Sequence, residues 1–411
     1  MLKTVRRGCR PRFRADPGRN PLCRPGRAAC SEPDCTAAPR TAGGGTAAPA
    51  ERGSENRRPG TGSRPGAGRA AAKLFYNERF AKPYLEELFK ELDSYKINKV
   101  KTIYIGGGTP TSLDDESFER LLKKVKPYLC NGGEFTVEAN VENLSKAKLD
   151  IMSRYGVTRL SIGVESTQNS RLKEIGRSHT YEDAVKVVNE AKKHNFDSIN
   201  VDLIYGFESQ SIEDLKNDLQ NILTLDIDHI SIYSLIVAPG TVFHNMKYKE
   251  QDEEESAKYY ELIVKTLREH GYKRYEVSNF ARNEKYAKHN LTYWHDEEYY
   301  GVGLGASGYI NGVRYENTKS LDKYSSGDYI ASKEIVTKEK DFEYYLLTNL
   351  RLESGFLRKD FVNRFGVDFV IEYSERIAPF IKSKDIIVSK DRVCLSDSGL
   401  LIMDYILRKI I

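Results

Sequence analysis

Residues 101–110 read KTIYIGGGTP, an apolar strand that runs directly into three glycines and a proline. Glycine lets a ligand approach the backbone because no Cβ stands in the way, and Pro110 stiffens the exit from the turn. A phosphate-binding loop would look similar, but neither Gly-Lys-Ser/Thr nor GxGxxG occurs at this turn, which disfavours a nucleotide P-loop. The stretch therefore predicts a strand whose carboxyl end faces a ligand.

Strand and helix patterns alternate on both sides of this stretch. Strands are predicted at 101–105, 134–138, 159–164, 198–204, 229–235 and 272–277, with helical periodicity between them. Ser/Thr-x-x-Asp boxes that begin at Ser112, Thr180 and Ser211 indicate helix starts. Such alternation predicts an α/β fold with a parallel sheet, and five strands between 101 and 235 suit an open doubly wound sheet or a partial barrel. In either architecture the ligand lies at the carboxyl ends of the strands.

The pattern changes after about residue 342. Helices are predicted at 344–352 and 358–365, a small hairpin at 385–388 and 392–395, and a closing helix at 398–407. This pattern predicts a small C-terminal α+β domain that is winged-helix-like. Packing is its ordinary role, and contact with nucleic acid is the minority interpretation.

The first 72 residues differ sharply from the rest of the chain. They hold fourteen Arg and one Lys against five acids, with eleven Gly and nine Pro, so we expect disorder. An organellar transit peptide over 1–30, a nucleic-acid-binding arm and a foreign or misassembled segment all fit, and the abrupt break favours the last. The remaining residues carry a net charge of −5, so we expect no nucleic-acid partner for the body.

The cysteines do not form a disulfide framework. Four of the six lie in the first segment, at Cys9, Cys23, Cys30 and Cys35, and the body has only Cys130 and Cys394. This usage suits a reducing compartment. No apolar run approaches the length needed to span a bilayer, so we expect no transmembrane segment.

Carboxylates follow the predicted strands. Glu138 ends the second strand and Glu165 the third, while Asp202 lies inside the fourth, where a buried acid needs a partner. Arg177 could pair with Asp202 or with an anionic ligand. The alternative interpretations are a surface arginine for Arg177 and a charge at a helix N-terminus for Glu138.

An ordered set of motifs resembles a known family. These motifs are Ile105-Gly106-Gly107-Gly108-Thr109-Pro110, the strand from Arg159 to Val164, Gly176-Arg177-x-His179, Asn200 to Gly206, Tyr233-Ser234-Leu235, Pro239-Gly240-Thr241, Tyr275-Glu276-x-Ser278-Asn279-Phe280, His289-Asn290-x-x-Tyr293-Trp294, Gly303-Leu304-Gly305-Ala306 and Asn311 to Tyr315. Together they resemble the oxygen-independent coproporphyrinogen III oxidase-like radical S-adenosylmethionine (SAM) proteins, and within them the heme chaperone branch of the HemW type. The resemblance covers residues 74–411.

The resemblance implies a partial (β/α)6 barrel that binds SAM and a [4Fe–4S] cluster. Carried over to this chain, it assigns the methionyl moiety of SAM to Gly107, Gly108 and Thr109, and the ribose to Glu138. The rest of the implied cofactor pocket consists of Glu165, Arg177, Asp202 and Ser234. Glu165 departs from the family, which usually has Gln there.

The cluster motif is the larger departure. The family carries Cys-x3-Cys-x2-Cys in a loop after its first strand, and no such triad occurs anywhere in this chain. We therefore expect a barrel without its first strand and no anchor for the cluster. Whether the chain is an enzyme is left open, because it resembles the oxidase without those cysteines.

Heme and recipient hemoproteins are the partners that the resemblance implies. His289 and His295 are the candidate iron ligands, although a histidine is more often a structural residue. Coproporphyrinogen III oxidase activity and a phosphate-binding partial-barrel enzyme are the alternative functions. A peripheral membrane contact is left open, and the expected compartment is the cytoplasm, or the mitochondrion if 1–30 is a transit peptide.

Four segments are expected. They are a tail at 1–73, a truncated radical SAM-type barrel at 74–280, a family-specific extension at 281–340 and the winged C-terminal domain at 341–411.

Overall fold

A seven-stranded sheet dominates the computed structural model, which describes residues 78–237 and 242–411. Its strands lie in the order β1-β2-β3-β4-β5-β7-β6. They span Val100–Ile105 (β1), Leu129–Asn140 (β2), Arg159–Glu165 (β3), Ser198–Tyr205 (β4), His229–Ser234 (β5), Lys273–Glu276 (β6) and Asn279–Ala281 (β7). The tail, its four cysteines and the motif at 239–241 lie outside the described residues.

The first five strands are parallel, as the alternating pattern predicted. Their register pairs Ile105 with Val137, Gly163 with both Asn140 and Asp202, and Ser234 with Tyr205. The carboxyl ends of all five strands therefore meet at one edge of the sheet, which we call the rim. Within the described residues β1 is the outermost strand on its side.

Two antiparallel strands complete the sheet on the other side. β7 pairs with β5 and β6 pairs with β7, so the sixth predicted strand is separated from the fifth. β7 has only three residues, and it follows β6 after a two-residue turn. A strand this short leaves no periodicity in the sequence, and it was not predicted.

Helices cover the sheet. In the described residues they span Glu78–Ser94, Asp115–Val125, Lys146–Arg154, Asn169–Glu174, Tyr181–Ala191, Ile212–Thr224, Val242–Asn245, Glu253–Glu269, Lys288–Trp294, Leu321–Ser325, Lys338–Asn349, Arg358–Phe365, Phe369–Glu372, Ser374–Lys382, Asp397–Leu401 and Met403–Ile410. Fully buried side chains such as Leu88 and Phe118 face the core, and burial of each stabilises the fold by about 1.5–3 kcal/mol. No helix in these two ranges combines the length and the apolar character needed to cross a bilayer.

Two of the three predicted helix starts are confirmed. Thr180 with Asp183, and Ser211 with Asp214, form reciprocal capping boxes. The box at Ser112 is wrong, because Asp114 is the N-cap and accepts a hydrogen bond from the Ser117 backbone N–H at 2.8 Å. Pro110 begins a 3-10 turn that ends at Ser112, so the helix begins at Asp115, after the position that the box at Ser112 indicated.

Two small sheets lie in the later part of the chain. One contains Ser307–Ile310 (β8), Val313–Asn317 (β9) and Ile330–Ile335 (β10), and the other contains Phe356–Leu357 (β11), Ile386–Val388 (β12) and Arg392–Leu395 (β13). The predicted hairpin is confirmed as the antiparallel pair β12 and β13. The predicted closing helix is divided into Asp397–Leu401 and Met403–Ile410.

Candidate functional site

The glycine turn lies against Glu138 at the rim. A Cβ on Gly106 would stand 2.5 Å from the Glu138 carboxyl carbon and 2.7 Å from the Tyr104 ring, so any larger residue would have to displace these side chains. Gly107 has φ +79° and its N–H donates to Glu138 Oε2 at 2.9 Å. Thr109 has φ +57° and accepts a hydrogen bond from Asn140 at 2.9 Å. The turn therefore holds exposed backbone beside a carboxylate.

Glu138 also accepts a hydrogen bond from the neighbouring strand β1. The Tyr104 hydroxyl donates to Glu138 Oε1 at 2.6 Å, so each carboxylate oxygen has a donor. Two such bonds fix the direction of this half-buried carboxylate at the rim. Tyr104 was not predicted as a site residue, because nothing in the sequence relates it to a residue 34 positions away.

Glu165 ends β3 in a left-handed conformation, with φ +70°. Its carboxylate pairs with the Arg177 guanidinium. Burial raises the pKa of Glu165, Arg177 acts in the opposite direction, and the nearby charge of Asp202 adds to the rise. A left-handed glutamate is uncommon, and such strain is frequent at functional sites.

Gly163 leaves space for the Glu165–Arg177 ion pair. A Cβ there would lie 3.0 Å from Glu165 Oε1, 3.2 Å from an Arg177 nitrogen and 3.3 Å from Asn140 Oδ1. The absence of a side chain on β3 thus lets groups from three segments meet on the inner face of the sheet.

Asp202 faces the same inner surface, but its partners do not include Arg177, which the sequence indicated as a possible partner. Ser161 donates to it at 3.2 Å and Asn200 at 2.8 Å, while Arg177 pairs with Glu165. Asn200 in turn lies 2.6 Å from His229 Nδ1. A line of buried polar side chains therefore extends from the rim down the inner face of the sheet and supports Asp202 from below.

Glu142 is a rim residue that the sequence did not reveal. One of its oxygens lies 3.6 Å from Arg177 Nη1, and the other lies 3.0 Å from His179 Nδ1. Partial burial alone would raise its pKa, but the interactions with His179 and Arg177 outweigh that effect and lower the pKa to about 2. Glu142 lies in the helical turn Val141–Asn143 that follows β2, and it contacts a loop that comes more than thirty residues later in the chain.

Ser234 stands at the carboxyl end of β5, exposed and in register with Tyr205. The five parallel strands thus bring Gly107, Gly108, Thr109, Glu138, Glu165, Asp202 and Ser234 to one edge, and the loop before helix Tyr181–Ala191 adds Arg177.

The two candidate heme ligands differ in their surroundings. His289 is buried at the start of helix Lys288–Trp294, with Nδ1 2.8 Å from Thr102 Oγ1 and Nε2 within hydrogen-bond distance of the Tyr293 hydroxyl. Iron coordination by His289 would have to displace one of these contacts. His295 follows the same helix and is exposed, so it reaches solvent directly.

The described residues do not fit an iron–sulfur cluster. They contain two cysteines, Cys130 on β2 and Cys394 on β13, which belong to different sheets. Within residues 78–237 and 242–411, no group of three or more His, Cys, Asp or Glu side chains is arranged to hold a metal ion. The described residues therefore offer no set of ligands that could anchor a four-iron cluster.

Comparison with known proteins gives a consistent result. The radical SAM superfamily model matches residues 70–222. The chain is 37% identical over 337 residues to the heme chaperone HemW of Lactococcus lactis, covering 80% of this chain and 89% of that protein. It is also 37% identical over 304 residues to HemW of Bacillus subtilis, covering 69% of this chain and 80% of that protein.

A solved structure shares the fold. Coproporphyrinogen III oxidase (HemN) from Escherichia coli, a radical SAM enzyme, superimposes with a TM-score of 0.70 at 20% identity, over 80% of this chain and 83% of that one. At this identity the likeness concerns the fold alone, whereas the HemW relatives establish the family. The chain therefore belongs to the HemW-type family of radical SAM proteins.

Proposed function

We propose that this chain binds SAM and heme and delivers heme to hemoproteins, with cluster chemistry impaired. The observation that carries the SAM part is the convergence of a glycine turn, four carboxylates and one arginine at the rim. Backbone groups of Gly107 and Gly108 would face the methionyl moiety, together with Thr109. Glu138 would accept the ribose hydroxyls, since its carboxylate is already oriented by two donors.

The heme part rests on the relatives. Two HemW proteins that this chain resembles over most of their length are named as heme chaperones. His295 is the more accessible of the two candidate ligands, and His289 would need to exchange a hydrogen bond for iron. In this proposal the protein acts in the cytoplasm, with the mitochondrion as the alternative.

Calorimetric titration of the full chain with SAM tests the first part. We expect saturable binding by the unaltered protein and at least tenfold weaker binding by Gly163→Ala, because the added methyl group must displace Glu165, Arg177 or Asn140. Tenfold corresponds to about 1.4 kcal/mol. Equal binding by both proteins, in samples with equal melting temperatures, would argue against a cofactor at the rim.

Heme titration followed by absorbance tests the second part. We expect His295→Ala to weaken binding and to shift the Soret band, because removal of an axial ligand changes the iron coordination. His270→Ala is the matched control, since His270 is also exposed and follows helix Glu253–Glu269 in the same way. An unchanged spectrum for His295→Ala would remove His295 from the candidates and leave His289.

Anaerobic reconstitution with iron and sulfide tests the cluster statement. We expect the full chain to hold far less than about four irons and to release no 5′-deoxyadenosine from SAM, because three suitably spaced thiolates are missing. Stoichiometric iron with SAM cleavage would show that other groups in the chain anchor a cluster.

A further inference from the structure

Arg177 is held between two carboxylates that come from different strands. Glu165, at the end of β3, pairs with one guanidinium nitrogen, and Glu142, just after β2, lies 3.6 Å from another. The three side chains are each 18% exposed, so their interactions are only partly screened by water. Arginine presents a rigid planar fork of donors, so contacts at two of its edges restrict its orientation more than one contact does.

Glu142 also holds the backbone that carries Arg177. Its Oε1 accepts a long hydrogen bond from the Ser178 N–H at 3.4 Å and lies 3.0 Å from His179 Nδ1. His179 is buried, and its Nε2 lies 3.3 Å from the Val164 carbonyl oxygen. One carboxylate therefore contacts three consecutive residues and ties their loop to the ends of β2 and β3.

The two carboxylates are not equivalent as anchors. Burial raises the pKa of Glu165, which weakens its hold on a full negative charge, whereas interactions with His179 and Arg177 keep the pKa of Glu142 at about 2 despite its partial burial. Glu142 is therefore the more firmly ionised of the two carboxylates. Glu165 pairs with Nη2, the guanidinium nitrogen that a Cβ on Gly163 would approach to 3.2 Å, whereas Glu142 lies nearest to Nη1.

We propose that Glu142 is a positioning residue for SAM binding, which fixes the loop 177–179 and thereby aims Arg177 into the cofactor pocket. The inference rests on the proposed function and adds to it a residue that need not touch the cofactor. Its effect on affinity passes through Arg177, and this route distinguishes it from a residue that merely stabilises the fold.

A double-mutant cycle measured by calorimetry on the full chain tests this route, with SAM as the ligand. We expect Glu142→Gln to weaken SAM binding about tenfold, which equals about 1.4 kcal/mol. In an Arg177→Ala background the same change should weaken binding less than about twofold, because the group through which Glu142 acts is gone. Glu142→Asp keeps the charge on a shorter side chain, and we expect an affinity between those of the unaltered protein and Glu142→Gln.

The matched control is Glu119→Gln. Glu119 forms an ion pair with Arg154 at 2.7 Å on the outer helical layer, so its loss removes a Glu–Arg pair of the same kind away from the rim. We expect its SAM affinity to equal that of the unaltered chain. Melting temperatures of all variants identify any that fail to fold, and Glu142→Asp then carries the test.

The outcomes separate the two proposals. No SAM binding by the unaltered, folded chain would overturn the proposed function and the positioning role together. Binding that is unchanged in both Glu142→Gln and Glu142→Asp would overturn only the positioning role. Equal weakening by Glu142→Gln with and without Arg177 would do the same, because the effect would then not pass through the arginine.

Discussion

Single side chains at the rim are positioned by contacts between residues far apart in sequence. Gly163 has no special φ, and its importance comes from the three groups that a Cβ would approach to 3.0–3.3 Å. Glu142 is unremarkable in the sequence, yet it contacts Arg177 and His179. Such residues become visible only when the strands bring their ends together.

The lowered pKa of Glu142 makes a prediction about stability. Its pKa falls from 4.5 to about 2 in the folded chain, so the ionised carboxylate stabilises the fold above about pH 4.5 and loses that effect as the pH falls toward 2. After allowance for solvent screening at the rim we expect about 1–2 kcal/mol. Urea denaturation should show Glu142→Gln less stable than the unaltered chain at pH 6, with the difference shrinking below pH 4. A difference that is independent of pH would contradict this reasoning.

Helix Lys288–Trp294 depends on a carboxylate from the sheet. Glu134 on β2 accepts hydrogen bonds from the backbone N–H groups of Lys288 and His289, both at 2.9 Å. The first N–H groups of a helix have no partner within the helix, and a negative charge at that end also interacts favourably with the helix dipole. This contact secures the helix that contains His289 and ends just before His295.

Replacement of this carboxylate should weaken the helix. We expect Glu134→Gln to lower the free energy of unfolding by about 1–2 kcal/mol, since the amide keeps one acceptor and loses the charge. Glu297→Gln is the control, because Glu297 is exposed just beyond the other end of the helix, and we expect a change within about 0.5 kcal/mol. Equal effects of the two substitutions in urea denaturation would show that the contact to the helix start contributes nothing.

For the molecule as a whole, an ionic network centred on one buried acid joins the later elements to each other. Asp296, with a side chain 2% exposed, pairs with Arg314 on β9 and lies 2.7 Å from Arg364 in helix Arg358–Phe365. Arg364 also pairs with Asp341 in helix Lys338–Asn349. One buried acid therefore connects the end of helix Lys288–Trp294 to one small sheet and to the C-terminal helices.

Replacement of Asp296 by a neutral residue should destabilise the fold. We expect Asp296→Asn to lower the free energy of unfolding by about 3 kcal/mol, because two partly buried arginines lose a common buried partner. Asparagine tolerates the left-handed conformation of this position, φ +55°, so the substitution tests the charge and not the backbone.

Asp226→Asn is the matched control for this substitution. Asp226 also has a left-handed φ, +47°, and pairs with Arg282 at 2.8 Å, but its side chain is 79% exposed. We expect a loss below about 1 kcal/mol there. Similar losses at both positions, measured by chemical denaturation, would refute the role of burial.

Much of the fold could be predicted because its signals are local. Apolar runs that end in Glu138 and Glu165, and the boxes at Thr180 and Ser211, mark strands and helix starts within a few residues of themselves. The start at Ser112 was placed wrongly because Pro110 favours a tight turn before the helix. β7 and β11 were missed because strands of three and two residues carry no periodicity.

The sequence by itself determined the parallel sheet, the order of its strands along the chain and the residues at their carboxyl ends, because periodicity and glycine placement act over short stretches. Only the tertiary structure decided that Arg177 pairs with Glu165 and Glu142, that Asn200 and Ser161 support Asp202, and that His289 is enclosed. Apart from Asn200 and Asp202, which are two positions apart, these partners are 12 to 187 positions apart, and their choice depends on strand register and on the space left by glycine. Electrostatic and hydrogen-bond preferences allow many partners for such groups, and packing selects one.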